Sequence, residues 1–200
     1  MSTEGVNQSR RRFLVASTSV VGAMGVAAAA YPFVAYWQPS AKAQAAGAPV
    51  EVDISKLEPG QRMTVEWRGK PVWIVRRTKE ILEALPTLNT TLRDPESAES
   101  LQPAYAKNPN RAIKDEYLVV VGICTHLGCS PNYVPLGEGG AALGSSWKGG
   151  FFCPCHGSRF DLAGRVFQGV PAPTNLTIPP YNYLSDTRIL VGADKVEGAA

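Results

Sequence analysis

Every cysteine and every histidine of this 200-residue chain lies between residues 124 and 156, and this clustering constrains the fold more than any other feature. The residues fall into two stretches, CTHLGCSP at 124–131 and CPCHGSRF at 153–160. Each stretch offers thiols and an imidazole, together with glycine or proline that can tighten the backbone into a loop. We therefore expect two loops that close on one centre, built from Cys124, His126, Cys129, Cys153, Cys155 and His156.

Two common uses of such residues explain only part of this pattern. Tetrahedral zinc needs four of the six groups and leaves two cysteines idle, and zinc fingers usually pair like ligands rather than C-x-H with C-x-x-H. A pure disulfide framework gives the histidines no role, and a domain of about 150 residues does not need one for stability. A [2Fe-2S] cluster of the Rieske type, with two cysteine and two histidine ligands, uses the whole set once the remaining cysteines pair.

The N-terminus carries Arg10, Arg11 and Arg12 and then no charge from Phe13 to Ala41. Residues 13–37 would span about 37 Å as a helix, enough to cross a hydrocarbon core of ~30 Å, and the arginines should keep residues 1–12 in the cytoplasm. A cleaved signal peptide is the alternative, with small-residue sites around Lys42 and Gln44. The apolar run is longer than the ~7–15 residues of a signal peptide, which favours a retained membrane anchor.

The small, nearly uncharged residues 38–49 predict a flexible tether. From residue 50 onward, short β-rich runs alternate with turn residues, only residues 78–88 look helical, and the polar residues 89–112 suggest a surface excursion. We therefore predict an all-β sandwich or barrel. Of 20 Lys+Arg and 17 Asp+Glu, 4 and 1 precede residue 50, so the domain carries 16 of each and gives no indication of nucleic-acid binding.

The boxes C-T-H-L-G-C and C-P-C-H-G-S resemble those of the Rieske iron-sulfur subunits of bacterial ubiquinol:cytochrome c oxidoreductases. The single anchor, the tether and the proline loop GVPAP at 169–173 also match, and SRRRFL resembles a twin-arginine export signal with Arg10 and Arg11 as the pair. The resemblance implies an antiparallel β sandwich over residues 50–200, with a cluster-binding subdomain at about 117–173 and one transmembrane helix before it.

The resemblance also assigns roles to the clustered residues. One iron of the [2Fe-2S] cluster would take two cysteines and the other two histidines, while Cys129 and Cys155 form a disulfide. Ser158 would donate a hydrogen bond to a bridging sulfide, and Leu127 with Gly128 would form a docking tip. The implied ligands are Cys124, Cys153, His126 and His156, with His156 the imidazole that meets the quinol and His126 the second exposed one.

The implied function is electron transfer from ubiquinol to a cytochrome c-type haem, coupled to proton release. The partners would be cytochrome b and cytochrome c-type subunits in a dimeric complex of the bacterial inner membrane, with the C-terminal domain in the periplasm. Two alternatives stay open: the small subunit of an arsenite-oxidase-like enzyme, and a zinc-stabilised periplasmic binding module. One position departs from many family members, since Phe160 stands where they carry a tyrosine that donates to a cysteine sulfur.

Overall fold

The computed structural model describes residues 5, 7–139, 143–144 and 147–194. The chain divides after Ala45 into two compact units, which are described separately. The first unit holds helix α1, Gln8–Ala35, which begins where the Asn7 side chain accepts a hydrogen bond from the amide of Arg10. This helix is long and apolar enough to cross a membrane. Because α1 starts before residue 13, the arginines lie inside the helix rather than ahead of it.

The predicted tether, residues 38–49, contains a short helix α2 at Ala41–Gly47. Four of its seven residues are alanine, the strongest helix former, which accounts for a helix in a stretch with no apolar face. Its flexibility stays a prediction.

The second unit contains three antiparallel sheets among the described residues, and each has three strands. The first sheet has the order β1-β9-β8, the second β2-β3-β4 and the third β5-β6-β7. The strands are β1 Val50–Asp53, β2 Arg62–Trp67, β3 Lys70–Arg76, β4 Tyr117–Val121, β5 Asn132–Val134, β6 Gly150–Phe152, β7 Arg159–Phe160, β8 Tyr181–Ser185 and β9 Arg188–Val191. The all-β class predicted from the sequence is confirmed.

The second sheet supplies the centre of the hydrophobic core. Strand β4 is buried along its whole length, as its uninterrupted apolar sequence YLVVV predicts. Strands β2 and β3 form a hairpin whose two turn residues, Arg68 and Gly69, have φ of 53° and 68°, as a type I′ turn requires. The ring of Phe151 on β6 stacks on Trp73 of β3 at 5.2 Å between centroids, so the third sheet packs directly on this core.

An insertion between β3 and β4 covers one side of the domain. It contains helix α3, Lys79–Ala84, and two 3-10 helices, Leu85–Thr91 and Ala104–Ala106. The prediction that residues 89–112 form a surface excursion is wrong, because Leu92, Ser97 and Arg111 are buried. The buried polar side chains of this segment have partners among residues 163–176: Arg111 donates to the carbonyls of Ala163 and Leu176, and the Ser97 hydroxyl accepts from the Asn175 side chain. These hydrogen bonds allow the polar groups to be buried.

Candidate metal centre

The two Cys/His stretches fold into loops of the same backbone design. In the first, the amide of Cys124 donates to the carbonyl of Cys129 at 2.8 Å, and the amide of Gly128 donates back to the carbonyl of Cys124 at 3.1 Å. In the second, the amide of Cys153 donates to the carbonyl of Ser158 at 2.8 Å, and the amide of Gly157 donates to the carbonyl of Cys153 at 3.0 Å. The sequence repeats a glycine four residues after the first cysteine of each loop, where φ is +82° and +75°.

This backbone design separates the thiols from the imidazoles. Cys124 and Cys153 are both 2% exposed, at the closed base of the loops. His156 is exposed and His126 half-buried, and their rings face each other edge to face with centroids 4.8 Å apart. Leu127 at the tip of the first loop is 70% exposed. A centre held between the loops would thus have sulfur ligands on its inner side and imidazoles at the surface.

The remaining two cysteines are joined to each other. A disulfide links Cys129 to Cys155, which ties the loops together and leaves Cys124 and Cys153 as free thiols. The sulfur of Cys153 lies within 4.8 Å of both disulfide sulfurs. Burial raises the pKa of the Cys124 thiol and the adjacent Cys153 thiol adds to the rise, while the amide of His126 and the hydroxyl of Ser158 oppose it.

These residues fit a [2Fe-2S] centre with mixed ligation. Two free thiols lie in the interior, and two imidazoles on the same loops face each other nearer the surface. The other two sulfurs form the disulfide and are therefore not free to bind iron. The raised pKa of the Cys124 thiol makes its thiolate costly to form without a bound cation, and a bound cation reverses that cost. The donor set is therefore the two-sulfur, two-nitrogen set that a Rieske centre uses.

Other predicted residues have defined places. Ser158 is fully buried, and its hydroxyl oxygen accepts a hydrogen bond from the amide of Ala172 at 3.1 Å. Phe160 is also fully buried and pairs with Phe151 across β6 and β7. Gly128 is exposed beside Leu127 at the loop tip. Arg10 and Arg11 belong to the other unit of the chain, in the first turn of α1.

Sequence reasoning missed the residues that support the loops from behind. Thr125 donates to the carbonyl of Thr174 at 2.7 Å, and Asn175 and Arg111 hold the neighbouring backbone. Asn175 begins the sequence Asn-Leu-Thr, which has the form of a glycosylation sequon, but its side chain is only 1% exposed and hydrogen-bonds within the domain. In the sequence, the sign of this supporting role is that a polar residue, Asn175, lies two residues after the proline loop at 169–173.

Comparisons with known proteins agree with this site. Residues 92–181 match the family model described as Rieske [2Fe-2S] domain. Residues 1–40 match the model described as Ubiquitinol-cytochrome C reductase Fe-S subunit TAT signal. Together with helix α1, the one long apolar helix among the described residues, this second match fits a membrane-anchored bacterial subunit.

Full-length relatives carry one name. The ubiquinol-cytochrome c reductase iron-sulfur subunit of Allochromatium vinosum is 64% identical over 195 residues, covering 98% of this chain and 94% of the relative. That of Rhodospirillum rubrum is 45% identical over 192 residues, covering 96% of each. A solved structure titled Hyperthermophilic respiratory Complex III aligns with a TM-score of 0.46 and 27% identity, over 88% of this chain and 98% of that one. The chain belongs to the bacterial ubiquinol-cytochrome c reductase iron-sulfur subunits, which carry a Rieske [2Fe-2S] domain.

Proposed function

We propose that this chain takes single electrons from ubiquinol and passes them to a cytochrome c-type haem, with release of a proton. The observation that carries the proposal is a facing pair of imidazoles, His156 exposed and His126 half-buried, on the same two loops as two buried free thiols. We assign Cys124 and Cys153 as ligands of one iron and His126 and His156 as ligands of the other. When bound, such a cluster exchanges one electron at about −150 to +300 mV, instead of near −400 mV with cysteine ligands alone, which brings quinols within reach as donors.

The side chains at the loop tips would bind and orient the quinol. His156 is the more exposed imidazole, so we assign to it the hydrogen bond with the quinol hydroxyl and the acceptance of its proton at the ring nitrogen that faces solvent. His126 lies beside it as the second exposed ligand. Leu127 and Gly128 would provide the apolar docking contact, because Leu127 is 70% exposed at the tip of the loop that carries His126.

The same proposal places the chain in a membrane complex. Residues 1–12, with Arg10 and Arg11, would stay in the cytoplasm, residues 13–37 would cross the inner membrane, and residues 38–49 would tether a periplasmic domain of residues 50–200. The disulfide supports an oxidising compartment for that domain. The partners would be cytochrome b and cytochrome c-type subunits of a dimeric complex, between which the tether lets the domain move.

Quinol-dependent reduction of cytochrome c by the purified complex tests this function. Wild-type complex should reduce cytochrome c when a ubiquinol analogue is added, and His156→Cys or Cys124→Ser should lose both turnover and the iron-sulfur spectrum. Ser130→Ala is the matched control, because Ser130 is exposed near the first loop but is no ligand. Turnover retained by His156→Cys, or no quinol-dependent activity in the wild type, would contradict the proposal.

A further inference from the structure

Residues 172–176, here called the brace, touch both ligand loops. The amide of Ala172 donates to the hydroxyl oxygen of Ser158 at 3.1 Å, and Ser158 in turn closes the second loop through its carbonyl. On the other side, Thr125 donates to the carbonyl of Thr174 at 2.7 Å. Thr125 stands between the two ligands of the first loop. One short segment thus makes a hydrogen bond to each loop.

The brace is held from behind by a fully buried arginine of the insertion. Arg111 donates from Nη2 to the carbonyl of Leu176 at 2.6 Å and from Nη1 to the carbonyl of Gly164 at 3.1 Å. The amide of Leu176 also donates to Gly164, so the guanidinium clamps two strands of backbone that already pair. Burial lowers the pKa of Arg111 to about 10, which leaves the group charged at neutral pH and its hydrogen bonds strong.

A buried amide holds the same segment at a second point. The Asn175 side chain donates to the carbonyl of Asp94 at 3.0 Å and to the hydroxyl of Ser97 at 2.9 Å, and its carbonyl oxygen accepts from the amide of Val166 at 2.8 Å. Its backbone amide donates to the hydroxyl of Ser100 at 3.2 Å. All of these partners lie in the insertion or in the turn that follows the second ligand loop. A side-chain amide suits this set of partners, since it offers two donor hydrogens and one acceptor oxygen in one plane.

We infer that Arg111 and Asn175 are positioning residues for the iron-sulfur centre, acting through the brace on Ser158 and Thr125. Because the Ser158 oxygen already accepts from Ala172, its single proton is left to donate toward the buried sulfurs. A donor to sulfur stabilises the more negative, reduced centre and raises its reduction potential. A displaced brace would release the Ser158 hydroxyl, so the potential should fall. This inference rests on the proposed cluster, but not on the proposed quinol chemistry.

The test compares two arginines of equal burial in the full-length protein with its cluster. Arg111→Lys keeps the charge but removes the planar fork whose two terminal nitrogens donate to Leu176 and Gly164. Arg77→Lys is the matched control, because Arg77 is 2% exposed and bonds the carbonyls of Asp115, Asn110 and Leu162 but none in the brace. Both variants should lose thermal stability. Only Arg111→Lys should lower the midpoint potential and broaden the EPR spectrum of the reduced protein.

Asn175→Ser provides a second variant in case Arg111→Lys does not fold. Asn175→Ser should also lower the midpoint potential. Loss of the cluster in Arg111→Lys and Asn175→Ser, but not in Arg77→Lys, would support the inference as well. Wild-type potential in both variants, or equal effects in Arg77→Lys, would overturn it. Failure of the proposed function would look different, because then the wild-type protein itself would lack the Rieske spectrum or the quinol activity.

Discussion

Replacing both disulfide cysteines by serine should leave the cluster in place but make it labile. Cys129 and Cys155 are 26 residues apart. In the chain-entropy model, closing a loop of that length lowers the entropy of the unfolded chain and so stabilises the folded state by about 3.5 kcal/mol. Cys155 is exposed and Cys129 half-buried, so serine adds little desolvation cost at either position. For a domain of this size, we expect the temperature of unfolding to drop by about 7–14 °C.

The loss of visible cluster absorbance on heating, at one fixed heating rate, measures this effect in the full-length protein. The double variant should show the wild-type spectrum at low temperature and bleach at the lower temperature. Wild-type protein treated with a thiol reductant should move to the same temperature, which separates loss of the bond from any effect of the serines. Bleaching of the double variant at the wild-type temperature would refute the stabilising role of the disulfide.

Three further changes have defined outcomes. Phe160→Tyr should raise the midpoint potential by about 20–60 mV, because the new hydroxyl would donate a hydrogen bond to sulfur. Such a bond contributes a net ~0.5–1.5 kcal/mol, and about 1.4 kcal/mol corresponds to about 59 mV for a one-electron couple. An unchanged potential in a redox titration would exclude that bond. Asp161→Asn leaves the buried Arg165 without its carboxylate partner and should lower the free energy of unfolding by about 3–5 kcal/mol in thermal unfolding. Glu116→Gln, which breaks the more exposed pair with Arg76, should lower it by under ~1 kcal/mol. Equal losses in the two variants would contradict this. Prolines placed across residues 38–49 should slow turnover without changing the spectrum, and full turnover would argue against a moving tether.

The Rieske domain could be predicted from the sequence because its candidate ligands are cysteines and histidines, rare residue types that occur nowhere else in the chain. The strands of the core were predictable for a related reason. Runs such as YLVVV at 117–121 are apolar throughout, and a buried strand needs no other signal. Strand β8 has a weaker signal, since YNYLS mixes aromatic with polar side chains and follows two prolines.

The support behind the site could not be predicted, because it depends on backbone groups brought in by tertiary structure. Arg111 lies in the polar stretch NPNRAIKD, which resembles a surface loop. Burial of the Arg111 side chain would be strongly unfavourable without hydrogen-bond partners, and the carbonyls of Gly164 and Leu176 supply them. Local sequence carries no information about those distant partners, so the insertion was taken for a surface excursion.

The most direct test of the central claim is a redox titration of the purified protein followed by EPR, with iron and acid-labile sulfide measured on the same sample. The account predicts two irons and two sulfides per chain, a spectrum of mixed cysteine and histidine ligation, and a midpoint potential within about −150 to +300 mV. A protein that holds zinc without sulfide, or a cluster that titrates near −400 mV as with cysteine ligands alone, would contradict it.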